Sequence, residues 1–238
     1  MKRTIKSIVL SAAFACVGGL TSCVNDLDVT PIDPNLQTNI SSDELFNKCY
    51  SNLALTGNDG PDSRDIEDVD PGTTVLVRQL FNANVLTTDE GICNWVQDPG
   101  ISEFNYNSYD ASHPMMLGYY YRLFFGVTLA NHYLSEYGAV DKQKTAEVRF
   151  LRALQYYMLM DAFGSVPFTE EVSDKLPVQY YRDQIFNYIV DELLAIEPDM
   201  AEPKAKTSAD AGYGRADKAA VWMLLMRLYF NAAVYTGI

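Results

Sequence analysis

Residues 146–168 read A-E-V-R-F-L-R-A-L-Q-Y-Y-M-L-M-D-A-F-G-S-V-P-F. Phe150, Ala153, Leu154, Tyr157 and Met158 recur at helical spacing, so the stretch predicts an amphipathic helix with these residues on its buried stripe. Gly164 is free to turn and Pro167 is unable to continue, which supplies the stop. Working outward, residues 115–137 carry Tyr120, Leu123, Phe124, Val127, Leu134 and Tyr137 along one face. Residues 182–197 carry Ile185, Tyr188, Ile189, Leu193 and Ile196 at the same period and halt at Pro198. Helices over 115–137, 144–163, 182–197 and 215–235 would therefore follow one another as antiparallel hairpins. Aromatic and small residues alternate on their faces, as expected where a small side chain admits a large one from the neighbouring helix. An all-α stack of hairpins, a solenoid, is the expected fold. Upstream, Ser42, Asp43 and Glu44 open a further helix with Leu45, Cys49 and Leu53 on one stripe and Gly57 at its end.

A second block, residues 214–237, reads G-R-A-D-K-A-A-V-W-M-L-L-M-R-L-Y-F-N-A-A-V-Y-T-G, and its Trp222 is expected in the core. The Arg-Phe-Leu-Arg-Ala opening, the Tyr pair and the Phe-Gly-x-x-Pro ending of the first block, followed by this second block, resemble the SusD-like (RagB/SusD) lipoproteins of Bacteroidetes outer membranes. The resemblance implies tetratricopeptide-like helix pairs supporting a loop-rich ligand-binding face. It also implies a longer chain than this one. The sequence is thus expected to be the N-terminal part of such a domain, exposing helix faces meant for neighbours and prone to poor stability or aggregation.

The N-terminus fits that resemblance. Lys2, Arg3 and Lys6 precede an apolar run from Ile8 to Leu20 that is too short to span a bilayer, which reads as a signal peptide over residues 1–22. Leu20, Thr21, Ser22 and Cys23 form a lipobox, so Cys23 would be the lipidated first residue of a domain covering 23–238. Asn25, Asp26, Leu27 and Asp28 then resemble a surface-export signal, placing the protein on the outside of the outer membrane, held by the lipid on Cys23.

Composition narrows the function. The formal charge is −13, and loss of the basic signal peptide makes the remainder more acidic still. Such a chain repels phosphate backbones and anionic lipid, which excludes nucleic acid as a partner and electrostatic attachment to the membrane. Two cysteines remain after Cys16 and Cys23 are set aside. Cys49 and Cys93 either pair or stand as free thiols, and their spacing supports no disulfide framework. Residues 58–72, N-D-G-P-D-S-R-D-I-E-D-V-D-P-G, form a solvated loop or, alternatively, a calcium site. They lack the ligand spacing of the known calcium loop, and no other cofactor is expected.

Nothing marks an enzyme. His113 and His132 stand outside any metal-binding spacing, no nucleophile elbow or phosphate loop is present, and the adjacent Asp89 and Glu90 cannot readily face one substrate together. Glu90 or Asp89 is expected instead to help order the turn before Trp95.

A binding role rests on residues 77–98, V-R-Q-L-F-N-A-N-V-L-T-T-D-E-G-I-C-N-W-V-Q-D. A neutral sugar presents a face of C–H bonds and a rim of hydroxyls, so its site needs an aromatic platform with fixed polar groups around it. Trp95 sits among Asn94, Gln97, Asp98, Pro99 and Gly100, in loop-like sequence. The segment is similar to the starch-binding member of the family. That similarity makes Trp95 the stacking platform and Arg78 the hydroxyl-binding donor, although Arg78 in a structural ion pair is the other reading. Asp98 takes the place of an amide in that member, so acceptors replace a donor there.

The resemblance implies a non-catalytic protein that captures starch or another α-glucan for a SusC-type TonB-dependent transporter. Another glycan or a peptide as ligand, and a structural lid without a ligand of its own, are the alternatives.

Overall fold

A computed structural model describes residues 40–59, 63–67 and 69–237. The signal peptide, the lipobox with Cys23 and the acidic segment behind it lie outside the described residues. Helix α1, Ser42–Ser51, begins with a capping box in which Glu44 and Ser41 exchange hydrogen bonds, and it ends at Asn52, one turn before the expected Gly57. A 3₁₀ turn at Pro71–Thr74 leads into α2, Leu76–Phe81, and a π-helical turn at Asn82–Leu86. The short α3, Ile101–Asn105, precedes three long helices: α4, Pro114–Tyr137, α5, Lys142–Phe163, and α6, Arg182–Ile196. Between α5 and α6 a minimal hairpin pairs β1, Val166–Phe168, with β2, Val178–Tyr180. Helices α7, Lys218–Phe230, and α8, Ala232–Thr236, close the described chain.

The expected all-α hairpin stack is what the chain forms. Helix α5 packs along α4 on one side and α6 on the other, and α6 in turn meets α7 and α8. Asp141 caps the start of α5 through the Lys144 N–H, and Gly164, at φ 75°, ends it.

The expected amphipathic stripe on α5 is corrected by its position. Sandwiched between two helices and touched by α1, it is buried on nearly every side, including Glu147, Arg152 and Gln155. Glu147 and Arg152 survive burial because partners hold their charges, whereas Gln155 Oε1 and Arg152 Nε are buried without a hydrogen-bond partner among the described residues. Glu147, wholly buried, accepts two bonds from Arg215 at 2.6 and 2.9 Å and one from the Tyr50 hydroxyl at 2.7 Å. Arg149 and Arg152, one turn apart, both reach Glu192 of α6, and Arg152 also donates to Asn131 of α4 at 2.9 Å. The two arginines of the opening motif are thus struts between consecutive helices.

Helix α7 overturns a second expectation. It meets α6 through Val221, Leu224, Leu225 and Leu228, spaced to form a single face. Trp222 falls beside that face, 46% exposed, with its indole N–H donating to Glu197 at 2.9 Å. A helix apolar on most of its circumference gives little periodicity from which to tell its buried side, and Met223, Met226, Tyr229 and Phe230 are exposed with Trp222.

The tyrosine run on α4 diverges as helical geometry requires, with Tyr119 buried, Tyr120 half-buried and Tyr121 exposed. Cys49 and Cys93 are free thiols. Cys49 lies in the main core, where burial pushes its thiol up to about 12, whereas Cys93 borders a second small core beneath α3. Thiol labelling at pH 8 followed by peptide mapping should therefore modify Cys93 and leave Cys49 untouched. Comparable labelling of both would mean that α1 opens readily from the core.

Residues 58–72 are not uniformly solvated. Asp65 is drawn inward, 2.6 Å from Lys48 and 2.9 Å from Arg122. Among the described residues no group of acids, histidines or cysteines is arranged to hold a metal ion.

Candidate functional site

The segment between α1 and α4 carries little regular structure and is built by local hydrogen bonds. Asp70 precedes the 3₁₀ turn and its carbonyl accepts from both the N–H and the hydroxyl of Thr73. The Gln79 amide donates to the Thr73 carbonyl at 2.9 Å and accepts from Asn82 at 3.2 Å, both side chains being buried. This fixes the face of α2 that looks inward and sends Arg78 outward.

Arg78 is held in two places. Its Nη1 donates to the Gly72 carbonyl at 3.2 Å, and its Nη2 donates to Asp98 Oδ2 at 2.9 Å. Both side chains stay partly solvated, 33% and 42% exposed, so the pair contributes only about 0–1 kcal/mol to stability. Donors that stability hardly uses remain open to a ligand. Beside them a hollow of about 460 Å³ is lined by Asp70, Thr73, Pro99, Pro114 and Leu117.

Trp95 is set by the loop that leads to Asp98. Asn105, at the end of α3, donates to the Cys93 carbonyl at 2.8 Å and accepts the Cys93 N–H at 3.1 Å, clamping the backbone two residues before Trp95. The Asp98 N–H then bonds back to the Trp95 carbonyl at 3.0 Å, closing a turn with Trp95 at one end and Asp98 at the other. Gly100 leaves the turn at φ 97°, close enough to His113 that a Cβ there would lie 2.7 Å from its ring. His113 Nδ1 accepts the Met116 N–H, so Nε2 carries the proton and donates to the Gly100 carbonyl at 2.9 Å. His113 is a structural residue that locks the loop to the start of α4.

The indole of Trp95 is 68% exposed, in contrast to the ring of Phe104, which packs on His113 with centroids 4.2 Å apart. The structure thus joins Arg78 and Asp98 directly and ties Trp95 to them through one turn. The expected role for Asp89 and Glu90 is corrected. Their side chains are exposed, and Thr88, which bonds the Val85 carbonyl at 2.8 Å and the Glu90 N–H at 3.2 Å, together with Asn105, orders this stretch.

Sequence reasoning missed Gly72, Thr73 and Asn105. The Asp-Pro-Gly run at 70–72 was a legible turn signal, but nothing local marks Asn105, whose partner lies twelve residues away. Among the described residues, no helix is long and apolar enough to cross a membrane.

Comparison with known proteins agrees with this architecture. No family model matches the chain. The starch-binding protein SusD of Bacteroides thetaiotaomicron is 40% identical over 98% of this chain, which spans 42% of that protein. Among solved structures, a surface glycan-binding protein A from Bacteroides fluxus matches with a TM-score of 0.60 at 19% identity, over 80% of this chain and 39% of its own. A laminarin-binding SusD-like protein matches at 0.60 and 18% identity, over 81% and 40%. A SusD-like carbohydrate-binding protein from Bacteroides fragilis matches at 0.56 and 18%, over 79% and 36%.

Proposed function

From a chain related to SusD over nearly its whole length and folded like the SusD-like proteins, we propose a non-catalytic glycan-binding role with α-glucan of the starch type as ligand. Residues 1–22 act as the signal peptide, Cys23 carries the lipid, and residues 23–238 stand on the outer face of the outer membrane. There the protein hands oligosaccharide to a SusC-type TonB-dependent transporter.

The observation that carries this reading is Trp95, a large ring left 68% exposed at the start of the turn whose other end, Asp98, pairs with the partly solvated Arg78. An exposed indole offers a flat surface for the C–H face of a glucose unit, and the guanidinium supplies oriented N–H donors for its hydroxyls. Arg78 can serve both of its expected roles at once. Two of its N–H groups fix its orientation, and the others remain for ligand.

Affinity electrophoresis on gels containing amylopectin tests the reading. Wild type should be retarded, and Trp95→Ala should lose at least tenfold in affinity, about 1.4 kcal/mol, while its thermal unfolding stays unchanged. Folded wild type that migrates freely through every α-glucan would sink the starch assignment. Retardation on another glycan, or binding of peptides, would then redirect it. Retardation kept by Trp95→Ala would move the platform elsewhere.

A further inference from the structure

We infer that Asp98 is a charge filter, one that restricts the Trp95–Arg78 site to neutral glycans and excludes those bearing carboxylates or sulfates. The inference rests on the glycan-binding reading and adds a specificity determinant to it.

An exposed arginine beside an aromatic platform is, taken alone, a receptor for anions. Its planar fork matches a carboxylate or sulfate in two parallel bonds, a stronger interaction than any it makes with a hydroxyl. Here the fork is already matched. Asp98 Oδ2 accepts from Nη2 at 2.9 Å, and the Gly72 carbonyl accepts from Nη1 at 3.2 Å, so an incoming anion finds neither nitrogen fully free. A uronate would have to share the fork with Asp98 and bring its carboxylate against another.

The surroundings sharpen the exclusion. Gly72 lies between Arg78 and a second acid, since a Cβ built on it would sit 2.9 Å from Asp70 Oδ1 and 3.1 Å from Arg78 Nη1. Asp70, Asp98 and Arg78 all line the same hollow, so two carboxylates oppose one guanidinium there. A neutral hydroxyl meets no such penalty. It can donate to the free lone pairs of Asp98 and accept from the remaining N–H groups of Arg78, so the pair that repels an anion serves both sides of a sugar hydroxyl. Specificity then comes from a repulsive element placed against the wrong ligand as much as from attraction to the right one.

The substitution that tests this is small. Asp98→Asn keeps the shape and the acceptor toward Arg78 but removes the charge, leaving one carboxylate against one guanidinium. The probes are a soluble amylose oligosaccharide and the same oligosaccharide carboxylated at C6, titrated calorimetrically at low and high salt. They share backbone and curvature and differ only in charge.

Wild type should bind the neutral oligosaccharide and bind its carboxylated form at least tenfold more weakly, with salt narrowing the gap by screening the repulsion. Asp98→Asn should close that gap by roughly tenfold, and salt should then have little effect on its binding of the carboxylated form. Asp98→Glu should keep the wild-type preference. A change of equal size for both ligands in Asp98→Asn would overturn the charge filter while leaving glycan binding intact. Folded wild type that binds neither probe would overturn the glycan-binding reading, and the filter with it. A merely structural role for Asp98 would move both affinities together and could not abolish the salt dependence of one.

Discussion

Replacement of Arg122 by Met should destabilise the protein by about 3–5 kcal/mol, because it strips a wholly buried polar network of its centre. Arg122 is 0% exposed and uses all five of its N–H donors. Nε donates to the Thr74 carbonyl at 2.9 Å, Nη1 to Asn52 and Asp65 at 2.9 Å each, and Nη2 to the Thr56 carbonyl and the Thr74 hydroxyl at 3.1 Å. One side chain thereby fastens α4 to the end of α1 and to the loop that precedes the binding segment.

Methionine fills much of the volume but leaves Asp65, 8% exposed, with Lys48 as its remaining ion-pair partner. The expected readout is a lower denaturant midpoint at unchanged slope, with a melting temperature lower by about 2–4 °C per kcal/mol. Arg122→Lys should recover only a small part, since an ammonium cannot place five donors in a plane. Arg122→Met combined with Asp65→Leu should recover more, because the buried acid that has lost one of its two cationic partners is then gone. A loss below about 1 kcal/mol in the single variant would mean that water reaches the site, and the account of a dry network would fall.

This network also marks the boundary of what the sequence made legible. The long helices were readable because helix formation is local, and the stops at Gly164 and Pro198 are carried by one residue each. Arg122 was not. It follows three tyrosines on a helix where an arginine ordinarily reaches solvent, and its acidic partner sits fifty-seven residues away in a segment that reads as a solvated loop. Burial of a charge is decided by partners brought together only in the fold, which no periodicity encodes. The same limit explains the two tryptophans. Trp95 was legible as exposed because Gly, Pro and Asn neighbours exclude it from a helix interior, whereas Trp222 lies in a mostly apolar helix whose buried side is fixed by α6. Of the candidate site, the residue types were readable from segment 77–98. The joint between Arg78 and Asp98 was not, since twenty residues separate them and it is Asn105 and His113 that shape the intervening loop.

Gly118→Ala should weaken both the fold and the site, although Gly118 touches no ligand. A Cβ at this position of α4 would lie 2.2 Å from the Thr73 carbonyl oxygen and 2.7 Å from its carbon, so the backbone of the 3₁₀ turn itself must move. Overpacking of this kind costs about 1–3 kcal/mol, against which alanine regains about 1 kcal/mol of helix propensity. The displacement matters more than the net energy. Thr73 lines the hollow and accepts from Gln79, and the neighbouring Gly72 carbonyl holds Arg78, so shifting this turn shifts the guanidinium relative to Trp95.

Gly126→Ala provides the control from the same helix. Its Cβ would meet the side-chain ends of Asn52 and Gln155 at 2.6 and 2.7 Å rather than the backbone of the turn, which Asn52 reaches only through Arg122, and side-chain ends can swing aside where a carbonyl cannot. Retardation on amylopectin should therefore fall several-fold in Gly118→Ala and hold near wild type in Gly126→Ala, with both melting transitions measured alongside. Unchanged retardation in Gly118→Ala would show that Arg78 is positioned by Asp98 alone. A parallel loss in the two variants would show that binding merely tracks stability. A loss confined to Gly118→Ala would make α4 the template on which the binding segment is laid, with the missing methyl of one glycine setting how closely the segment approaches it.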